Sequence, residues 1–430
     1  MEHELENKVN TESGNGSAEK ELETKPGEAL TGMLAKEAAG LQHQLVEWRR
    51  SLHQVPETGT KLPQTIAFIK EKLDEMGITY KVYEDISCIE AVIGDASGAD
   101  GSAAGFRRKC FLLRSDIDAL PVTEETDLPF RSTNGCMHGC GHDMHGTILL
   151  GAAKLLKNHE KELKGTVKLL FQSGEEVFQG AKAAVAAGVL KEPKVEAAFA
   201  MHVIAMMPTG VFMTGKEAMA SVDGFKITLT GHGGHGSMPE TSVDPINAAV
   251  QVYLALQSLI AREKGGTEEA VLTIGRLSAG EAANIIPERA VLQGTLRTFR
   301  KEVRERLVKR IQEISAGVAA AYRCRFEYET LSCCPSVITD DGVTAQVEES
   351  IKSLFPQVQV IKQAHGMGSE DFAEITDLVP SAYYMLGAGP EDPAKRLGQH
   401  NPKVEFNEDV LSTGAAIYAK TAMDWLEKNV

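Results

Sequence analysis

The stretch Lys109-Cys110-Phe111-Leu112-Leu113-Arg114-Ser115-Asp116-Ile117-Asp118 starts as an apolar run and ends in three charged side chains. A short, bounded apolar run of this kind reads as a strand covered on both faces, with chemistry available at its polar end. Two further stretches repeat the pattern. Thr166 to Phe171 runs into Gln172-Ser173-Gly174-Glu175-Glu176, and Val195 to Ala200 runs into Met201-His202. Helical patterns separate them, at Thr147 to Leu156 and at Gly180 to Val189. Alternating strands and helices predict an α/β fold with a doubly wound, mostly parallel sheet, whose ligand sites collect at the carboxyl ends of the strands. The three polar ends then share one rim.

Upstream, Leu41, Leu45, Trp48 and Leu52 have helical spacing, which stops near Pro56. Thr65 to Met76 reads as a second helix closed by Gly77, and Thr79 to Tyr83 as a strand. Residues 1–33 hold eight Glu against three Lys and little apolar spacing, so a disordered acidic tail is expected there. Downstream the character changes. A strand at Asp223 to Thr230, a helix at Pro245 to Ala261, strands at Ala270 to Leu277 and Ala290 to Phe299, a helix at Val303 to Tyr322 and a strand at Cys324 to Thr330 give the order βαββαβ. That is the order of a ferredoxin-like α+β unit. After Asp340 the strand-helix alternation returns, ending in a helix at Asp409 to Lys428. The expected division is a catalytic unit at 34–221 and 336–430, interrupted by an inserted unit at 222–335.

With 430 residues, 43% hydrophobic and 24% charged, the composition is that of an ordinary globular chain of more than one domain. A net charge of -15 argues against a nucleic-acid or anionic-membrane binder, either of which needs a basic face. No apolar run is long enough to span a bilayer and the first thirty residues are polar, so a cytoplasmic location is expected. The seven cysteines are an odd number spread over a large chain, which fits free thiols better than a disulfide framework.

Between the first two strands lies Cys136-Met137-His138-Gly139-Cys140-Gly141-His142-Asp143-Met144-His145-Gly146. Two thiols, three imidazoles and a carboxylate can bind metal, and glycines on both sides of Cys140 let the backbone bend so that ligands converge. A structural zinc knuckle would need a second pair at matching spacing. Cys333-Cys334, the other close pair, is adjacent and ill suited to a closed cage. The competing reading is a Gly-rich turn with incidental cysteines.

In the pair Glu175-Glu176, one carboxylate could ligate a metal while the other faces a water as general base; alone, the pair would read as a solvated turn. His202 at a strand end and His400 before Asn401-Pro402 would each alone pass for structural histidines. With Cys140, His142 and Glu176 they make five ligands of N, O and S type, enough for two metals that share a bridge. Gly231-His232-Gly233-Gly234-His235-Gly236 matches the G-x-G-x-x-G spelling, but the next helix starts only near Pro245, so no helix N-terminus faces a pyrophosphate. It reads instead as a flexible loop presenting His235. Asn284 and Arg297, on the inserted unit, suit recognition of a substrate carboxylate, though Arg297 also reads as an ordinary surface charge.

Taken together, Arg50-Ser51-Leu52-His53, Arg114 to Pro121, Met137 to His145, Gln172 to Glu176, Met201-His202, Gly233 to Pro239, Asn284 to Pro287, Gly294 to Arg297, Ser369 to Phe372 and His400-Asn401-Pro402 follow a recognisable order. In these stretches the chain resembles the metallo-amidohydrolases that include aminoacylases, hippurate hydrolases and auxin-conjugate hydrolases, and more distantly the glutamate-releasing carboxypeptidases. The resemblance runs over residues 40–428. It implies a dinuclear site with Cys140, His142, Glu176, His202 and His400 as ligands and Glu175 as base, holding manganese, zinc or cobalt. Ser115, Asn401 and Glu240-Thr241 depart from the common pattern, which bears on substrate preference more than on the reaction.

The expected activity is hydrolysis of the amide bond of an N-acyl amino acid, with Asp118 orienting a metal-bound histidine from behind. The inserted unit would bring His235 to the oxyanion and Asn284 or Arg297 to the carboxylate. In relatives these groups can come from a partner subunit, so a homodimer through the inserted unit is expected. Rival readings are a dipeptidase or carboxypeptidase, an N-acetyl-diaminopimelate deacetylase, and a silent metal- or peptide-binding protein. Glu175 counts against the last, since binding needs no general base.

Overall fold

The computed structural model describes residues 26–94, 109–363 and 365–429. The main sheet has eight strands in the spatial order Thr79–Tyr83, Cys88–Ile93, Thr166–Gln172, Cys110–Asp116, Val195–Pro208, Ser381–Gly389, Val211–Met213 and Gln359–Ile361. Its four central strands, from Thr166–Gln172 to Ser381–Gly389, are parallel, and antiparallel neighbours join them on both sides. Alternation of side chains along each strand explains the two layers of helices. Phe111, Leu113, Val167, Leu169, Ala197 and Phe199 face a core shared with the helices Pro26–His53, His142–Asn158 and Val410–Lys428. Cys110, Leu112, Leu170, Ala198 and Ala200 face the opposite core, with Ala184, Phe372 and Ile375. This is the doubly wound α/β arrangement expected from the sequence.

A second sheet of four antiparallel strands has the order Ala270–Ala279, Arg289–Thr298, Val222–Thr230, Arg325–Cys334. Its first strand lies between its third and fourth, the ferredoxin-like order. The helices Pro245–Arg262 and Lys301–Ala321 cover it, and Phe225, Leu256, Leu292, Leu307 and Ile311 form its own core. Asp244 caps the first of these helices, accepting from the N–H groups of Ile246 at 2.8 Å and Asn247 at 3.4 Å, with Pro245 in the first turn.

Three expectations need correcting. Residues 26–33, expected within the disordered tail, belong to the helix Pro26–His53. The apolar stripe begins earlier than its acidic surroundings suggest, because Leu34 is fully buried and Leu30 packs on the same core; residues 1–25 of that tail lie outside the described residues. The strand after Val195 does not stop before His202 but runs on to Pro208, carried by parallel pairing of His202 with Met385 and Val203 with Leu386. The helix expected from Thr147 starts at His142, so the ligand loop feeds straight into a first helical turn. The strand Cys88–Ile93 was not foreseen.

Candidate metal centre

At the carboxyl ends of the central strands, five overlapping groups of possible ligand atoms lie within 4.8 Å of one another, and three of them gather the expected ligands: Cys140, His142 and His202; Cys140, Glu176 and His400; His142, Glu175 and Glu176. Cys140, His142 and Glu176 each belong to two of these three groups. The backbone makes this possible at Gly141, where φ is 89° and an added Cβ would stand 2.5 Å from the Val203 side chain. His400 approaches from the other side of the rim, in a left-handed conformation with φ 67°, its N–H bonded to the Gly139 carbonyl at 2.9 Å. Strained backbone of this kind persists where the surroundings fix it, commonly at functional sites.

Hydrogen bonds decide which ring nitrogens remain free. His142 directs Nδ1 at the Asp118 carbonyl, 2.9 Å away, and His202 directs Nδ1 at the Val203 carbonyl, 2.7 Å away. In each ring Nδ1 is the donor, so Nε2 is the nitrogen turned to the cluster, that of His202 lying 3.4 Å from the Cys140 Sγ. His145 has no such vacancy, because Nδ1 bonds Asp116 at 2.5 Å and Nε2 accepts the Val203 N–H at 2.8 Å. Nε2 of His142 and Oε1 of Glu176 are buried without a hydrogen-bond partner. Buried polar atoms are rarely left so, and these two converge with a thiol and two further imidazoles, a donor set that fits a divalent metal.

Electrostatics point the same way. Burial lowers the pKa of His142, but Asp116 and Asp118 outweigh it and hold it well above the usual imidazole range. A positive charge is thus favoured where a cation would sit. Burial, reinforced by His145, keeps His202 well below that range and therefore neutral. Burial pushes the Cys140 thiol up to about 12, with Glu176 and Asp116 adding to it. For Glu176, burial is outweighed by His400, whose Nε2 lies 3.4 Å from Oε1, and by the charge of His142, which lower its pKa. For Glu175, burial and the neighbouring Glu370, Asp371 and Glu176 raise it well above the usual carboxylate range.

Asp118 does more than the sequence suggested. Besides its carbonyl on His142, its carboxylate accepts the N–H of Glu175 at 3.0 Å and of Glu176 at 3.2 Å. Single residues escaped the sequence reading as well. Arg114, buried, pairs with Asp116 at 2.9 Å, Glu370 at 3.0 Å and Asp371 at 2.7 Å. Asp371 also accepts from Gln172 and from the Ala181 N–H, so the network ties the strand ends together behind the ligands. The available signal was a charged stretch, Arg114-Ser115-Asp116, in a strand with no solvent-facing side, since buried charges require partners.

The ligand cluster opens into a cavity of ≈ 350 Å³ lined also by Phe178, Ile204, Met219, Tyr383, Met385 and, from the second sheet, Arg297. The Arg297 guanidinium donates to the Ser369 hydroxyl. His235 and Asn284 are not among the lining residues. They sit together on the exposed ladder that pairs Gly234–His235 with Ile285–Ile286, where the Gly236 N–H bonds the Asn284 carbonyl at 2.8 Å.

The sequence matches Peptidase family M20/M25/M40 over residues 112–424. The chain belongs to that family. As an M20 member it is 35% identical to the N-acetylcysteine deacetylase of Bacillus subtilis (strain 168) over 387 residues, 89% of this chain and 97% of the relative. It is 34% identical to the IAA-amino acid hydrolase ILR1-like 2 of Arabidopsis thaliana, covering 89% of this chain and 85% of the relative. The crystal structure of the Bacillus subtilis YXEP protein, described as a dinuclear metal binding peptidase from the M20 family, superimposes with a TM-score of 0.75 at 32% identity, over 90% of this chain and 99% of that one. The protein is an M20 hydrolase with an α/β fold. Among the described residues no helix is long and apolar enough to cross a membrane.

Proposed function

We propose that this M20 enzyme hydrolyses the amide bond of N-acyl amino acids, releasing a carboxylic acid and a free amino acid. The observation that carries the reading is the convergence of His142 Nε2 and Glu176 Oε1, both buried without a hydrogen bond, with the raised carboxyl of Glu175 beside them. Cys140, His142, Glu176, His202 and His400 would hold two divalent ions, manganese, zinc or cobalt. Bound there, the ions supply Lewis acidity, making an attacking water more acidic and the acyl carbonyl more electrophilic. Glu175 takes the water proton on its carboxylate and returns it to the amide nitrogen as the amine leaves. Asp118 fixes Glu175 and Glu176 through their N–H groups and orients His142 through its own carbonyl. Arg297 receives the substrate carboxylate from the cavity wall.

In this reading residues 34–221 and 336–430 form the catalytic unit and residues 222–335 a lid that pairs with a second copy. His235 and Asn284, exposed and outside the cavity, then serve the partner's site, His235 as donor to the developing oxyanion and Asn284 at the carboxylate. The inserted unit has a surface fit for such pairing: Val271 and Leu277 are exposed on its edge strand, and Ile246, Val250, Tyr253 and Leu254 along one helix face. The seven free cysteines suit a reducing compartment such as the cytoplasm. The test is a panel of N-acyl amino acids and dipeptides, assayed by amine release after reconstitution with each metal. Release from N-acyl amino acids at rates well above the dipeptides is expected; the reverse order overturns the substrate class.

A further inference from the structure

Phe178 is held in the left-handed region, φ 54°, which glycine enters freely and a bulky side chain resists. The turn that imposes this conformation comes straight off the Glu175-Glu176 pair. The Phe178 N–H bonds the Glu175 carbonyl at 2.8 Å, and the N–H groups of Gln179 and Gly180 both reach the Gly174 carbonyl at 3.1 Å. Nothing in that backbone pattern calls for an aromatic residue, so the side chain must supply what offsets the strain. It packs against the core that holds Phe372, Tyr383 and Met385. It also lines two hollows at once, the ≈ 350 Å³ cavity of the metal centre and a groove of ≈ 380 Å³ bounded by Val177, Ala183, Ala186, Leu331 and Lys182.

We infer that Phe178 is a specificity-determining wall: its side chain closes the metal cavity against the neighbouring groove and so limits the length of the acyl group. The inference rests on the N-acyl amino acid reading. With Arg297 engaging the carboxylate, the apolar lining of Phe178, Ile204, Met219 and Met385 is left for the acyl portion. The groove beyond Phe178 is mostly apolar and would take an alkyl chain if the ring were absent. Natural substrates then carry short acyl groups, ending where the ring stands.

The experiment compares the metal-loaded wild type with Phe178→Gly and Phe178→Ala on N-acetyl, N-butanoyl, N-octanoyl and N-dodecanoyl derivatives of one amino acid. Gly removes the ring and relieves the backbone, whereas Ala removes the ring and keeps the left-handed penalty. A change common to both therefore belongs to the ring. The expected result is a rise of about tenfold or more in the octanoyl-to-acetyl ratio of kcat/KM in both variants, the scale on which apolar pockets discriminate by size, with metal content unchanged. An unchanged ratio in both variants overturns the inference. Calorimetry with straight-chain alkyl hydroxamates of two to twelve carbons reads the same limit without turnover. If the wild type releases no amine from any N-acyl amino acid, the proposed function fails, and the hydroxamates still decide the wall. Tighter binding of the long chains by both variants upholds it; the same chain-length dependence in all three proteins overturns it.

Discussion

The rim of the main sheet and the exposed ladder of the inserted unit handle their polar side chains in opposite ways. At the rim, His142, His202, Glu175 and Glu176 are each set by a hydrogen bond from behind, and the carboxylates behind them are paired with buried Arg114 or with backbone N–H groups. On the ladder, His235 is exposed, its Nδ1 bonded to the Ser237 hydroxyl at 2.7 Å. One region is held in place by its own fold; the other, in the reading proposed above, completes a site only with a second copy. Preorganised groups contribute through position and electrostatics, presented ones only after closure or pairing.

The sharpest break of this contrast is Glu175→Gln, which keeps shape and removes the base. It should lower kcat by about 10² to 10⁴-fold with metal content, measured by plasma emission, unchanged. Near-normal turnover in the metal-replete variant would refute the assignment. His235→Ala should lower kcat by about 10² to 10³-fold while leaving metal binding alone. Mixing the two inactive variants under subunit exchange should restore part of the activity if His235 acts in trans; proven exchange without recovery places it in its own subunit's site.

Smaller effects sharpen the comparison. Asp116→Asn keeps the five proposed ligands and removes the charge 3.6 Å from His142 Nε2, so metal affinity should drop about 10 to 100-fold, read by competition with a chromogenic chelator. Metal affinity should also rise with pH, by about tenfold per unit for each proton displaced. The sign follows from the Cys140 thiol, which burial pushes up to about 12 and which is therefore protonated at neutral pH until metal takes its place. An affinity flat between about pH 6 and 8 would remove Cys140 from the ligand set. Least in size is Asp244→Ala, which deletes the helix cap of the inserted unit. About 1 kcal/mol of stability should be lost, seen in denaturant unfolding, with the metal content of the rim unaffected.

The residues of the candidate site stood out in the sequence because chemistry at a strand end is local: Cys140 and His142 lie in one loop, and Glu175-Glu176 and His202 each close an apolar run. The network behind them was not legible, because its pairs are remote. Arg114 meets Asp371 across 257 positions, and only the folded sheet puts them side by side. The length of the strand through His202 was hidden for a similar reason, since pairing with Ser381–Gly389 sustains it beyond its apolar run. The early start of the first helix was masked by composition, the stripe from Leu30 and Leu34 being diluted by charged neighbours. Phe178 illustrates a third limit. Its residue type gives no hint of a left-handed backbone, which is set by the turn around it.

The insertion has a consequence for how this protein is made. The strand Val195–Pro208 pairs on one side with Cys110–Asp116, already synthesised, and on the other with Ser381–Gly389, which follows only after the whole ferredoxin-like unit. On the ribosome, one long parallel edge therefore stays open while the intervening segment, with its own core, emerges and folds. His400 comes later still. Nascent chains stalled or cut within the inserted unit would carry an unpaired central strand, the kind of edge that recruits other chains, and chaperone demand should peak over that interval of translation.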